Sequence, residues 1–257
     1  MILWNDGAHG VAENMRRDSD LLAAAERDPG WRPVLRLFRF DPPGITLGRS
    51  QHPERVLDLE RCARDAVAFA VRPTGGRAIF HAEEWTYSLT ARLDDPRFGG
   101  SLAAAYGAAS TLIAGSLRRL GIAADLTPGR RTTSGQGAMG SAPCFASTAA
   151  HEIVLEGRKL AGSAQRRTAT ALLQQGSILL GPGHLRLADY LALPDPQREA
   201  ARVRLERAST WAAPPGNATR EAWADSLAAE LGSAAFRLTG DAALLTLLES
   251  GSILRTA

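Results

Sequence analysis

Three strand-like segments, residues 152–156, 159–165 and 171–180, follow one another with only a few residues between them. Parallel neighbours need a crossover of a dozen or more residues, so links this short call for antiparallel or mixed pairing. Strands and helices elsewhere mix without strict alternation. The chain therefore reads as α+β, with mixed, mostly antiparallel sheets flanked by helices.

Upstream, Met15, Leu21, Leu22 and Ala25 share one helical face over Asn14–Ala25, and Asp28-Pro-Gly stops that helix. Val34–Phe40 reads as a strand, Asp41-Pro-Pro-Gly44 as a turn and Ile45–Gly48 as a return strand, so a hairpin is expected. A short helix over Pro53–Ala66 steps Val56, Leu59 and Cys62 onto one side, which places Cys62 in a core. Val67–Val71 is expected as a buried strand that delivers a glycine turn, and Glu84–Thr90 alternates as another strand. Leu102–Leu120 has helical spacing with Gly121 as its stop, and should cover a sheet face. Thr127–Ala142, rich in Gly, Ser, Thr and Arg, reads as a mobile surface loop leading to Cys144. Beyond Pro182 the pattern turns helical, clearest over Ala218–Leu231, with a short strand at Ala235–Leu238 and a last helix to Leu254.

Bulk properties exclude several classes. A 257-residue chain with 45% hydrophobic residues can bury a sizeable core. It contains no run of eighteen apolar residues, and its N-terminus has no basic region followed by an apolar stretch. Neither a membrane span nor export is expected, and the cytoplasm is the default location. Cys62 and Cys144 make neither a disulfide framework nor a zinc spacing. The net charge of +3 comes without a basic patch interleaved with aromatics, so nucleic acid is not an expected partner. One number stands out: Lys159 is the single lysine among thirty basic residues. If arginine fills the ordinary surface roles, the lysine is left for what guanidinium cannot do, such as carrying a shiftable proton or a compact point charge; the plain alternative is drift in an arginine-rich composition.

The chemistry-bearing residues have plain readings too. Gly75-Gly76 between Arg72 and Arg77 allows close backbone approach to a ligand, and the arginines offer forks for phosphate or carboxylate; a two-glycine turn is also often only a turn. Neither a Walker loop nor a Gly-x-Gly-x-x-Gly pattern is present. His81 is either a ligand contact or a satisfied core residue, and with no second ligand at metal spacing beside it no metal is proposed. Cys144 is either an activated nucleophile at a loop end or an inert buried thiol. Lys159 is either functional or a solvated residue of a hairpin turn.

Taken together, Arg72-Pro-Thr-Gly-Gly-Arg-Ala-Ile-Phe-His81 with Thr86-Tyr-Ser88, Cys144-Phe145, Gly157-Arg-Lys-Leu-Ala-Gly-Ser-Ala-Gln-Arg-Arg167 and Gln175-Gly-Ser-Ile-Leu-Leu180 resemble the lipoate ligase and octanoyltransferase family. Asn14-Met15 and Gly48-Arg-Ser-Gln51 also match. The resemblance covers about residues 10–185 and implies a biotin/lipoate protein ligase catalytic domain, class II synthetase-like, filling residues 1–257 with a helical C-terminal part over 186–257. Within that family, Gly-Gly-Arg in place of Gly-Gly-Gly, and Cys-Phe ahead of the lysine strand, are similar to the cysteine-dependent octanoyltransferases.

That likeness implies a two-step transfer. Cys144 would take octanoyl from octanoyl-acyl carrier protein as a thioester and pass it to a lysine of a lipoyl domain or of the glycine cleavage H protein. Lys159 would touch the acyl carbonyl. Arg72, Thr74, Gly75, Gly76, Arg77, Gly162, Ser163, Ala164 and Gly176 would bind substrate, His81 would stand at the tunnel wall, and apolar residues such as Leu179 would bury the acyl chain. No cofactor is implied for the transferase; ATP and Mg would be needed if the chain were instead a lipoate ligase. An amidotransferase acting between lipoyl domains would need the same thiol, and a non-catalytic acyl-binding relative would bind without turnover. One residue departs from the pattern, since Gln175 stands where the family usually has His, and an amide cannot act as a base.

Overall fold

The computed structural model describes residues 1–127, 151–214, 216, 218–232 and 235–249. Cys144 and most of the 127–142 segment expected as a loop lie outside the described residues, as does the end of the expected last helix.

In chain order the elements are β1 (Ile2–His9), α1 (Val11–Arg27), β2 (Val34–Phe40), β3 (Gly44–Leu47), α2 (Pro53–Val56), α3 (Leu59–Arg64), β4 (Phe69–Val71), β5 (Ile79–His81), β6 (Glu84–Arg92), α4 (Leu102–Arg119) and β7 (Asp125–Leu126). After the undescribed stretch come β8 (Ile153–Leu155), β9 (Arg158–Lys159), β10 (Ala161–Arg167) and β11 (Ala171–Leu179). The chain then runs through a 3-10 stretch (Pro182–Tyr190), α5 (Asp195–Ala208), α6 (Arg220–Leu231), β12 (Phe236–Thr239) and α7 (Ala242–Glu249). This is the expected α+β mixture.

The main sheet has the order β10-β11-β6-β2-β1-β12. Its β1 pairs run parallel, while β2-β6, β6-β11 and β10-β11 run antiparallel. Successive side chains on a strand point to opposite faces, so each central strand serves two cores. Leu3, Leu35, Leu37, Leu89 and Leu172 meet α4 and α6 on one face, where Trp85 stacks on Trp223 at 5.2 Å. Ile2, Trp4 and Val34 meet α1 and α7 on the other, and Leu22 and Ala25 of α1 close over Ala171 and Leu173. A second sheet, β4-β3-β5, packs on the α1 side, and β7-β8-β9 forms a third.

Several local expectations change: the helix over Pro53–Ala66 is two short helices, α2 and α3, and the strand over 159–165 is broken at Leu160 into β9 of the third sheet and β10 of the main sheet. Strands β2 and β3 do not form a hairpin: β2 pairs with β1 and β6, whereas β3 pairs with β4 and β5 in the second sheet. The chain crosses between sheets at Gly44, where a Cβ would lie 2.3 Å from Val11 of α1 and 2.6 Å from the Ala68 carbonyl, so only glycine fits. The Val67–Val71 segment is not buried, because β4 is an edge strand that leaves Phe69 and Val71 exposed. Leu179 faces a satellite core with Ile45, Leu47 and Phe80 rather than an acyl site. Cys62 is buried in that same core, as expected.

Candidate active site

Between the main sheet, α1 and the second sheet lies a narrow pocket. Its apolar lining comes from Met15 of α1, Phe38 and Phe40 of β2 and Ile79 of β5. Thr46, Arg72, His81, Thr86 and the β10/β11 residues Gly162, Ser163, Ala164, Gln175, Gly176 and Ser177 complete it. Pockets of this kind combine an apolar body with a few convergent polar groups.

Cross-strand geometry explains the glycine at position 176. Gly176 pairs with Tyr87 on one side and Ser163 on the other, and a Cβ there would meet the Tyr87 ring at 2.4 Å and Ser163 Oγ at 2.7 Å. The space is taken by a part-buried Tyr87–Ser163 hydrogen bond of 2.9 Å. Burial raises the Tyr87 hydroxyl pKa, so the phenol stays protonated.

The glycine turn leading into β5 is braced rather than open. Arg72 is buried, and its guanidinium donates to the Gly75 carbonyl at 2.7 Å, the Arg77 carbonyl at 2.8 Å and Thr46 Oγ1 at 3.2 Å. Its donors hold the loop together, which corrects the expectation of a fork held ready for a ligand. From outside, the Gly48 turn presses on the loop so closely that a Cβ at Gly48 would sit 1.9 Å from the Gly76 carbonyl. Thr74, Gly75, Gly76 and Arg77 do not line the pocket; Thr74 stands one bond behind it, donating to Gln175 Oε1 at 2.6 Å.

Gln175 is a junction. Its Nε2 donates at 2.6 Å to Asp18 Oδ2, so one amide ties the glycine turn to α1. Asp18 Oδ1 accepts from Ser88 at 2.6 Å and pairs with Arg36 at 2.8 Å. Arg36, fully buried on β2, also pairs with Asp6 at 2.6 Å, donates to Asn14 Oδ1 at 2.6 Å and lies 3.9 Å from the Phe38 ring centroid. Asp6, His9 and Asp241 bring donor atoms within 4.8 Å of one another, but Asp6 is already paired with Arg17 and Arg36, which makes a poor cation ligand of it.

His81 is fixed from two sides. Its Nε2 lies 2.7 Å from Thr46 Oγ1 and its Nδ1 lies 2.7 Å from Glu84 Oε1. Glu84 is a neighbouring carboxylate that local spacing did not mark as a partner of His81. Thr86 and Ser177 donate to the same Glu84 oxygen at 2.7 and 3.0 Å.

Lys159 does not line the pocket. It sits on β9, three residues before Gly162, buried and paired at 2.5 Å with Glu152 Oε1, which removes the reading of a solvated turn lysine. The second Glu152 oxygen is buried with no hydrogen-bond partner among the described residues. The strand is held from behind, where Thr210 N–H donates to the Lys159 carbonyl at 2.9 Å and Ser209 pairs with Lys159. Ser209 in turn holds His184 Nε2 at 2.8 Å, and burial lowers the His184 pKa to about 4.

Asp18, Glu84 and Glu152 were missed by sequence reasoning. Asp18 meets Arg36, Ser88 and Gln175 at 18, 70 and 157 positions away, beyond any local periodicity, whereas Glu84 lies three positions from His81 and Glu152 seven from Lys159, pairs that the strand pattern alone did not single out. One signal was available: a lysine that enters the interior needs a carboxylate, and Glu152 and Glu156 bracket the strand just before it.

A model of the lipoyl protein ligase A/B catalytic domain matches residues 11–209. The chain belongs to this family. Among relatives of this lipoyl ligase A/B chain, the octanoyltransferase LipM of Kyrpidia tusciae is 36% identical over 206 residues, 80% of this chain and 74% of the relative. The octanoyltransferase LipM of Moorella thermoacetica is 36% identical over 203 residues, 79% of this chain and 72% of the relative. The fold is that of a bipartite lipoate protein ligase from Thermoplasma acidophilum, with a TM-score of 0.71 at 18% identity, covering 96% of this chain and 89% of that one. A lipoate-protein ligase A structure bound with ATP aligns with a TM-score of 0.66 at 18% identity, over 96% of this chain and 92% of that one. No helix among the described residues is long and apolar enough to cross a membrane.

Proposed function

We propose that this chain is an octanoyl transferase of lipoate biosynthesis. The observation that carries the reading is similarity of 33–36% identity, over about four-fifths of the chain, to relatives that are octanoyltransferases. The narrow apolar pocket agrees with it. At about 0.8 kcal/mol per buried methylene, a pocket that takes most of an eight-carbon chain contributes several kcal/mol of binding.

In the first half-reaction the Cys144 thiolate attacks the thioester carbonyl of octanoyl-acyl carrier protein. A new S–C bond forms, the carrier's thiol leaves and takes up the proton, and the octanoyl-enzyme results. In the second, a lysine amine of a lipoyl domain or the H protein attacks that thioester, the amide forms and the Cys144 thiol is restored. The assignment of Cys144 rests on the family resemblance. Lys159, held by Glu152, supplies a compact positive charge to the acyl carbonyl as negative charge develops on its oxygen. Gly162, Ser163, Ala164 and Gly176 shape the acyl site, and Arg72, Thr74, Gly75, Gly76 and Arg77 act as the loop that covers it. Gln175 fits as a brace: both ends of its amide are in use, and a brace needs no base. We take residues 1–257 as one catalytic unit acting in the cytoplasm, with no ATP or Mg in the reaction.

The test is an intact-mass measurement after incubation with octanoyl-acyl carrier protein. An octanoyl adduct on wild type that is absent from Cys144→Ser is expected. No adduct, or an equal one in Cys144→Ser, overturns the reading. A likeness to an ATP-bound ligase gives a second reading its one support, and lipoate-dependent pyrophosphate release surviving in Cys144→Ser would favour it.

A further inference from the structure

We infer that the stacked Phe40–His81 pair is the end wall that sets how long an acyl chain this site accepts. The inference rests on the octanoyl-transfer reading above and specifies it further.

The two rings lie face to face, with centroids 3.9 Å apart and planes 22° from parallel. Behind them is a second, wider pocket lined by Arg39, Glu83, Glu84, Arg220 and Glu221 among others. Phe40 and His81 are the two residues that line both pockets, so the stack is the partition between them. On the near side the rings continue an apolar lining with Met15, Phe38 and Ile79. On the far side Arg39, Glu83, Glu84, Arg220 and Glu221 share the lining with Ala82, Trp85 and Leu180.

This wall is stiff. His81 is held at both ring nitrogens, by Thr46 from β3 and by Glu84 from β6, each at 2.7 Å. Phe40 ends β2 and packs edge-on against Phe38, with centroids 5.6 Å apart. Strand ends from the two sheets thus meet ring to ring, and neither ring can swing aside without giving up its partners. A hydrocarbon chain gains free energy while it displaces water from apolar surface, and it stops gaining where the two rings close the near pocket and block the apolar surface of Ala82, Trp85 and Leu180 beyond them. A chain too long for the near pocket must either leave its reacting carbonyl out of place or push its terminal methylenes into the rings.

Removing the Phe40 ring joins the two pockets and lets the end of a longer chain pass. Each methylene that regains apolar contact is worth about a fourfold change in binding. The experiment offers wild type, Phe40→Ala and Phe40→Leu an equimolar set of acyl carrier proteins bearing C6, C8, C10, C12 and C14 chains, and reads the adducts by intact mass. The dodecanoyl-to-octanoyl ratio should rise about tenfold or more in Phe40→Ala, and by less in Phe40→Leu. Phe40→Leu keeps most of the side-chain volume and decides the matter should thermal melting show that Phe40→Ala is unfolded. If wild type loads octanoyl and the folded variants keep its chain-length profile, the wall does not measure the chain and the inference is wrong. If wild type loads no acyl group, the transfer reading itself fails and the inference falls with it.

Discussion

Two of the places where this molecule buries charge among its described residues follow different plans. Around Arg36, one guanidinium faces two carboxylates, and Asn14, Ser88 and Gln175 satisfy the remaining donors and acceptors. Around Lys159, one ammonium meets one oxygen of Glu152 while the second oxygen has no hydrogen-bond partner among the described residues. A saturated network has nothing left to give a substrate and serves to lock α1, β1, β2, β6 and β11 together. The Lys159–Glu152 pair, by contrast, keeps a compact point charge in low dielectric on the strand that leads to Gly162 of the pocket.

If the contrast holds, breaking the first cluster costs stability and altering the second costs rate. The largest effect is expected from Arg36→Met, which leaves Asp6 and Asp18 buried without their common counter-charge. Stability should fall by about 3–5 kcal/mol in denaturant unfolding. An unchanged midpoint would show that the network does not hold the sheet to α1.

The support behind Lys159 can be probed with pH. His184 has a folded pKa of about 4, below its ordinary value of 6.5, because burial disfavours the charged ring. The unfolded chain therefore binds its proton first, and stability contributed by the neutral ring is present above pH 6.5 and lost as pH falls from 6.5 toward 4. The full shift corresponds to at most about 3 kcal/mol. Melting temperature should drop across that window, and less steeply in His184→Asn; parallel curves for the two proteins would remove His184 as the cause.

Lys159→Arg keeps the charge but replaces a point donor with a planar fork. Octanoyl transfer should slow by about 100-fold with little change in melting temperature. A large loss of stability with normal turnover per folded molecule would place Lys159 with the structural cluster instead. The smallest effect is expected from Glu152→Gln, which retains a hydrogen-bond acceptor but drops the carboxylate charge. We expect about a tenfold loss in kcat, a shift in the pH–rate profile and little change in KM, whereas a purely structural role would leave the profile in place.

Much of the fold was legible because the local signals were strong. Val34–Phe40 and Leu102–Leu120 showed their periods, and the strands after residue 152 were too closely spaced for crossovers. The first strand, β1, was not legible: Ile2-Leu-Trp runs into Asn-Asp-Gly, which reads as a turn, and β1 exists because β2 and β12 pair with it on both sides. The hairpin failed for the same reason in reverse. A turn sequence specifies that the chain bends, while the sheet that β3 joins depends on the contact of Gly44 with α1 and Ala68.

The site divides along the same line. Composition marked Lys159 through the absence of any other lysine, and the family resemblance pointed to the glycine turn, Gly162–Ala164 and Gly176. The first inference needs only residue type, and the second the order of several motifs compared with a known family, both of which a linear string carries. Tertiary structure decided that Arg72 is engaged with its own loop, that Gln175 joins Thr74 to Asp18, that Glu152 holds Lys159, and that Phe40 from one sheet stacks on His81 from another. Arg72 aside, whose partners are carbonyls of its own loop, each of these depends on which side chains meet once the chain has folded and burial has made an unpaired polar group costly. No local window of sequence contains both partners of such a meeting together with the packing that forces it.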